Sequence, residues 1–115
     1  MSVTIYHNPR CSKSRETLAL LQSKAVEPNI VEYLKTPLTH EQISMLVSQL
    51  GFSSVRELMR TKEDAYKELN LKDESSESAL IDAMVQNPKL IERPIVVNNN
   101  KAAIGRPPEN VLSVL

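Results

Sequence analysis

Cys11 is the one cysteine of the chain, and it lies in His7-Asn8-Pro9-Arg10-Cys11-Ser12-Lys13-Ser14-Arg15, the stretch whose residue types best suit covalent chemistry. A cysteine at the start of a helix faces unpaired backbone N–H groups and the positive end of the helix dipole, equivalent to about half a charge. Both favour the thiolate, and cysteines so placed have pKa values lowered from about 8.5 to as low as roughly 3.5. Arg10, Lys13 and Arg15 add positive charge in the same turn, and His7 is placed to tune the thiolate. Ser14 completes a C-x-x-S pattern; its hydroxyl can hydrogen-bond the thiolate but cannot resolve a disulfide. The polar flanks argue for a reactive, accessible thiol over a buried inert one.

A single cysteine excludes an intramolecular disulfide and any multi-thiolate zinc site. His7 and His40 are far apart in sequence, so no metal site is expected. Whatever adduct or disulfide forms on Cys11 must be resolved by a thiol from another molecule. The arginine that a phosphatase-type loop requires after its cysteine is missing, since Thr17 occupies that position and the nearest arginine is Arg15.

The elements that must position Cys11 can be read from the surrounding pattern. With 115 residues, 41% apolar and 24% charged, the chain fits one globular domain. Lys and Arg total 14, as do Asp and Glu, so any anion site must be built locally. Aromatics at 3% are too few for a base-stacking platform, and no nucleic-acid partner is expected. No apolar run approaches the roughly 20 residues that span a bilayer, and Met1-Ser2-Val3-Thr4-Ile5 lacks signal-peptide character. A cytoplasmic, monomeric protein without a membrane partner is expected.

Val3 to Tyr6 reads as a first strand, Ser12 to about Lys24 as a helix, and Asn29 to Tyr33 as a second strand, which makes a parallel βαβ unit. Thr39-His40-Glu41-Gln42 is a capping box ahead of a helix that Gly51 closes, and Ser54-Val55-Arg56-Glu57 repeats the device. His40 is expected to be exposed and idle. Lys62 to Ser78 reads as a charged, exposed loop, and Glu77 to Gln86 as a further helix. Ile95-Val96-Val97 and Lys101 to Gly105 form a hairpin about Asn98-Asn99-Asn100, because Asn tolerates left-handed backbone. Pro107-Pro108 opens a last helix, Glu109 to Leu115. The fold class expected is α/β: a thioredoxin-like βαβ–ββα core over about 1–38 and 89–115, with a helical insertion over about 39–88 between the halves.

That topology gives three arginines a meaning. Arg60 is expected to end a helix of the insertion, Arg93 precedes Pro94 at the opening of the third strand, and Arg106 follows the fourth. In a thioredoxin-like fold the peptide before the third strand is usually cis and packed against the reactive cysteine; the sequence leaves open whether Arg93-Pro94 is such a bond. A guanidinium offers a planar fork of donors suited to a tetrahedral oxyanion.

Taken in order, the Cys11 stretch, Tyr33-Leu34-Lys35-Thr36-Pro37, Leu58-Met59-Arg60, Leu90-Ile91-Glu92-Arg93-Pro94-Ile95-Val96-Val97 and Ile104-Gly105-Arg106-Pro107 resemble the glutaredoxin-coupled arsenate reductases. The resemblance runs from Ile5 to Leu115. It implies that Cys11 is the nucleophile, that Arg60, Arg93 and Arg106 bind arsenate or a similar oxyanion, and that His7 and Ser14 support the thiolate. It also implies glutathione as co-substrate and glutaredoxin as partner, with no bound cofactor, in arsenic resistance. Arg10 and Ser12 stand where the best-known members carry smaller residues, and several members have a longer tail. Two other classes share these features. Spx-type regulators that bind RNA polymerase generally carry C-x-x-C and lack the arginine after the Ile-Gly pair, so Ser14 and Arg106 favour an enzyme. A glutathione-dependent thiol transferase with vestigial arsenate activity is the other alternative.

Overall fold

The computed structural model describes residues 3–115; Met1 and Ser2, where the expected domain and the N-terminal reading begin, lie outside the described residues. Four strands form one sheet in the order β2-β1-β3-β4. They are β1 (Val3–Tyr6), β2 (Asn29–Val31), β3 (Ile95–Asn98) and β4 (Lys101–Ile104). β1 pairs parallel with β2 and antiparallel with β3, and β3 pairs antiparallel with β4. The helix α1 (Ser12–Ser23) crosses from β1 to β2. This is the thioredoxin-like arrangement, with helices inserted between the βαβ and ββα halves.

Register explains the core. Ile5 stands opposite Ile30 and Val96, and Val96 opposite Ala103, so one row of side chains crosses the sheet on a single face. Ile5, Val96, Leu21 of α1 and Val111 are fully buried together, with Val3, Leu18, Val26 and Val114 packed around them. Val111 belongs to the C-terminal helix, which is a 3-10 helix over Pro108–Val114. The β3–β4 turn has Asn99 at φ 52° and Asn100 at φ 65°, the two left-handed residues that a two-residue hairpin loop requires.

The chain divides into two compact units, one comprising the chain up to Thr36 with Arg93–Leu115, the other Pro37–Glu92. The second holds α2 (His40–Leu50), α3 (Asp64–Glu68) and α4 (Glu77–Gln86). Short 3-10 helices lie at Val55–Leu58, Leu71–Asp73 and Pro88–Leu90. Thr39 and Gln42 complete the capping box of α2, which Gly51 closes at φ 74°. Ile43 and Leu46 of α2 and Leu80, Ile81 and Met84 of α4 are buried.

Several expectations are corrected. The second strand stops at Val31 rather than Tyr33. Ala25, at helical spacing from Leu18 and Leu21 in the sequence, lies past the end of α1, at φ 60°. Lys62 to Ser78 is not a plain exposed loop: it contains α3 and a 3-10 turn, and buries Tyr66 and Leu71. Its order comes from Arg56, whose Nη1 donates to Tyr66 Oη at 2.6 Å and Leu71 O at 3.1 Å while Nη2 donates to Glu74 O at 2.6 Å. Arg60 does not end a helix. It follows Met59 in extended backbone, where Met59 bridges Ile91 and Arg60 N donates to Leu90 O at 2.7 Å. His40 is exposed but not idle, since its Nε2 lies 3.7 Å from Asp82 Oδ1 and 3.4 Å from Ser78 Oγ on α4.

Candidate active site

The site starts with the turn that follows β1. Asn8 Oδ1 accepts from Arg10 N at 3.0 Å and Asn8 O from Cys11 N at 3.0 Å, which folds His7–Cys11 back before α1 begins. Cys11 is the N-cap of α1 in extended conformation, and its carbonyl accepts from Arg15 N at 3.0 Å to open the helix. An N-cap sulfur in this position sits over the free amides of the first turn.

Cys11 is buried, with 9% of its surface exposed, contrary to the accessibility its polar flanks suggest. The sequence misleads because Arg10, Ser12 and Lys13 turn outward while the sulfur turns in among polar groups. Burial pushes the thiol pKa up. The Ser14 amide, the charge and hydrogen bond of the Arg93 guanidinium, and the Lys13 amide pull it down, and together they prevail. The sulfur makes no cap hydrogen bond of strict geometry, so the amides act on it as aligned dipoles. Arg106 Nη2 lies 3.7 Å from the sulfur, and Arg106 Nε donates to Arg93 O at 2.9 Å. The two arginines are thereby tied together beside Cys11.

Arg93-Pro94, left open by the sequence, is a cis peptide, and Arg106-Pro107 is a second. The Nε of Arg93 is buried without a hydrogen-bond partner among the described residues. A buried, unsatisfied cationic donor is costly. Here the same guanidinium acts on the Cys11 sulfur by charge and by a hydrogen bond.

His7 and Ser14 are both buried, and His7 Nδ1 meets Ser14 Oγ at 2.6 Å. Ser14 Oγ also accepts from Asn8 N at 3.0 Å. The expectation that the serine hydroxyl holds the thiolate is therefore revised: its contribution to Cys11 is its amide, and its hydroxyl fixes the turn and His7. Burial lowers the His7 pKa, Glu32 opposes this and Arg15 adds to it, so the site favours the uncharged ring. His7 thus works through Ser14. The side chains of Lys13 and Arg15 are engaged elsewhere, Lys13 Nζ with Glu16 at 3.5 Å and Arg15 Nη1 with Pro9 O at 3.1 Å.

Arg60 belongs to the other unit. Its Nη1 lies 3.2 Å from Glu63 Oε1 and its Nε 3.8 Å from Glu92 Oε1. These carboxylates were not singled out from sequence, although Glu63, three positions on, was a visible partner. Gly105, part of the Ile104-Gly105-Arg106-Pro107 motif, has a packing role that its sequence position does not reveal. A Cβ there would fall 2.9 Å from Pro94 Cγ and closer still to the Thr17 hydroxyl, so only glycine lets α1 and the Pro94 turn approach. No group of three metal-ligating side chains occurs among the described residues, and no helix among them is long and apolar enough to cross a membrane.

Known proteins are similar to this chain in sequence and in fold. The model of the ArsC family matches residues 6–114. A protein of Escherichia coli K12, called uncharacterized protein YfgD, is 65% identical over 114 residues, covering 98% of this chain and 96% of the relative. An arsenate reductase of Haemophilus influenzae is 51% identical over 116 residues, covering 100% of both. The structure of an arsenate reductase from Vibrio cholerae superposes with a TM-score of 0.98 at 57% identity, covering 100% of this chain and 98% of that one. With the match to the family model spanning nearly every described residue, the chain belongs to the ArsC family.

Proposed function

We propose that the protein reduces arsenate to arsenite through a covalent adduct on Cys11, resolved by glutathione and glutaredoxin. The carrying observation is the Cys11 sulfur at the start of α1 with Arg93 and Arg106 beside it. Arsenate enters as an anion whose charge the guanidinium groups offset. The Cys11 thiolate attacks arsenic, an arsenic–oxygen bond breaks, and the oxygen leaves as water. Glutathione displaces a second oxygen in the same way, leaving arsenic bound to two sulfurs. A glutaredoxin thiolate then attacks the glutathione sulfur. The electron pair of the arsenic–sulfur bond stays on arsenic, which falls from As(V) to As(III), and a glutaredoxin–glutathione disulfide forms. Water releases arsenite and frees Cys11.

External thiols are required because no second cysteine exists in the chain. A cytoplasmic setting, where glutathione and glutaredoxin keep thiols reduced, and a monomeric state belong to the same proposal. Arg60 is the third donor by resemblance. To serve an oxyanion it must exchange the carboxylates of Glu63 and Glu92 for substrate.

The test is NADPH consumption by the purified protein with arsenate, glutathione, glutaredoxin and glutathione reductase. Arsenate-dependent oxidation that disappears in Cys11→Ser is expected. No turnover at saturating arsenate would overturn the reading and favour the thiol transferase or the regulator.

A further inference from the structure

An open groove of about 470 Å³ runs between α1 and the C-terminal 3-10 helix, lined by Lys13, Glu16, Leu20 and Ser23 on one wall and Pro107 and Glu109 on the other, with Ala19 and Pro108 between. We propose that this groove binds the thiol co-substrate, a small zwitterionic thiol peptide of the glutathione kind, and presents its sulfur to Cys11. The proposal deepens the reading above and rests on it for the identity of the co-substrate, not for the groove.

Three observations carry it. Position is the first: one wall starts at Lys13, two residues after Cys11, and the other at Pro107, next to Arg106. The amide of Lys13 helps hold the thiolate, and Pro107 follows Arg106, whose Nη2 lies 3.7 Å from Cys11 Sγ. Size is the second. Lys13 to Ser23 spans about 15 Å at the helical rise, and a tripeptide extends to about 10 Å. The volume lies in the range of small-molecule sites.

Charge is the third. Lys13 pairs with Glu16 at 3.5 Å, while the Glu109 carboxylate has no ion-pair partner among the described residues. The groove therefore offers one free carboxylate and one exposed, shared ammonium beside the apolar Ala19, Leu20 and Pro108. A ligand with a free ammonium, a free carboxylate and little apolar bulk complements that pattern. A neutral thiol does not.

The experiment uses a reaction that needs no arsenate. Cys11 thiolate attacks glutathione disulfide, the glutathione S–S bond breaks, a Cys11–glutathione disulfide forms, and one glutathione thiolate leaves. Mass spectrometry follows its rate against disulfide concentration in the wild type, Glu109→Gln and Ala19→Trp. Hydroxyethyl disulfide is the uncharged probe, and iodoacetamide alkylation reports the thiolate itself.

Expected are saturation with glutathione disulfide, none with hydroxyethyl disulfide, and about a threefold to tenfold loss of efficiency in each variant toward glutathione disulfide alone. Unsaturable kinetics, unchanged efficiency, or an equal fall in alkylation would overturn the groove. If wild-type arsenate turnover proceeds but Ala19→Trp leaves its glutathione dependence unchanged, the groove fails and the arsenate reading stands. If arsenate turnover is absent while the variants lose only glutathione disulfide, the groove stands and the arsenate reading fails.

Discussion

The chemistry of Cys11 rests on a contest between burial and polar neighbours, and single residues decide it. Arg93 acts on the sulfur by both charge and hydrogen bonding, so Arg93→Ala should raise the pH midpoint of iodoacetamide alkylation toward the ordinary thiol value of about 8.5. A midpoint that stays put would show that the helix amides suffice alone. Ser14→Ala separates two roles. It keeps the amide that faces the sulfur but leaves His7 Nδ1 and Asn8 N without the hydroxyl. It should cost roughly 1–3 kcal/mol in urea unfolding while moving the alkylation midpoint little. A large shift of the midpoint with unchanged stability would return the hydroxyl to the thiolate. Cys11, Arg93 and Arg106 were legible as neighbours because the βαβ–ββα order brings the start of α1, the turn before β3 and the end of β4 together. The inward turn of the sulfur and the commitment of Ser14 Oγ to His7 were not, since both depend on a loop whose shape is set by Asn8.

At the scale of elements, legibility follows the range of the forces. The capping box of Thr39 and Gln42 and the left-handed Asn99 and Asn100 are local devices, and the sequence displays them directly. Order between Lys62 and Ser78 is supplied by Arg56 from a distance along the chain, which no local pattern reveals. The buried face of α1 was obscured for another reason, since it includes Ser14 and Thr17, polar residues with partners of their own. Two element boundaries give predictions. Beyond α1, Val26 N bonds Leu21 O and Ala25 N bonds Gln22 O, a Schellman closure with alanine in the place that glycine favours. Ala25→Gly should raise stability by about 0.5–1 kcal/mol, as relief of left-handed strain exceeds the added chain entropy; a lower urea midpoint would contradict this. Gly105→Ala should cost about 1–3 kcal/mol, because its methyl meets Thr17 and Pro94. It should also slow Cys11 alkylation, since Pro94 adjoins Arg93; unchanged stability would place the clash elsewhere.

For the molecule as a whole, acid should weaken the fold in two stages. His7 has a folded pKa below its ordinary 6.5, so the unfolded chain takes up that proton first and stability falls as pH drops through 6.5. Glu77 is held below its ordinary 4.5, chiefly by the Ser54 hydroxyl and also by the Val55 amide and the Arg56 charge, against a small effect of burial. Its contribution is present above 4.5 and is lost as pH falls through the folded value. Urea midpoints measured from pH 7.5 down to 3.5 should decline across both windows. His7→Asn should flatten the upper one and Glu77→Gln the lower; a decline that neither variant alters would assign it to other groups. The packing around Ser14 reaches beyond stability. With that side chain fully enclosed and its oxygen accepting from the Asn8 amide, position 14 supplies an anchor for the turn and no second thiol. With Cys11 as the one thiol, reducing power has to be supplied from outside, and on the proposed function the rate of detoxification would track whatever electron currency the surrounding cell maintains.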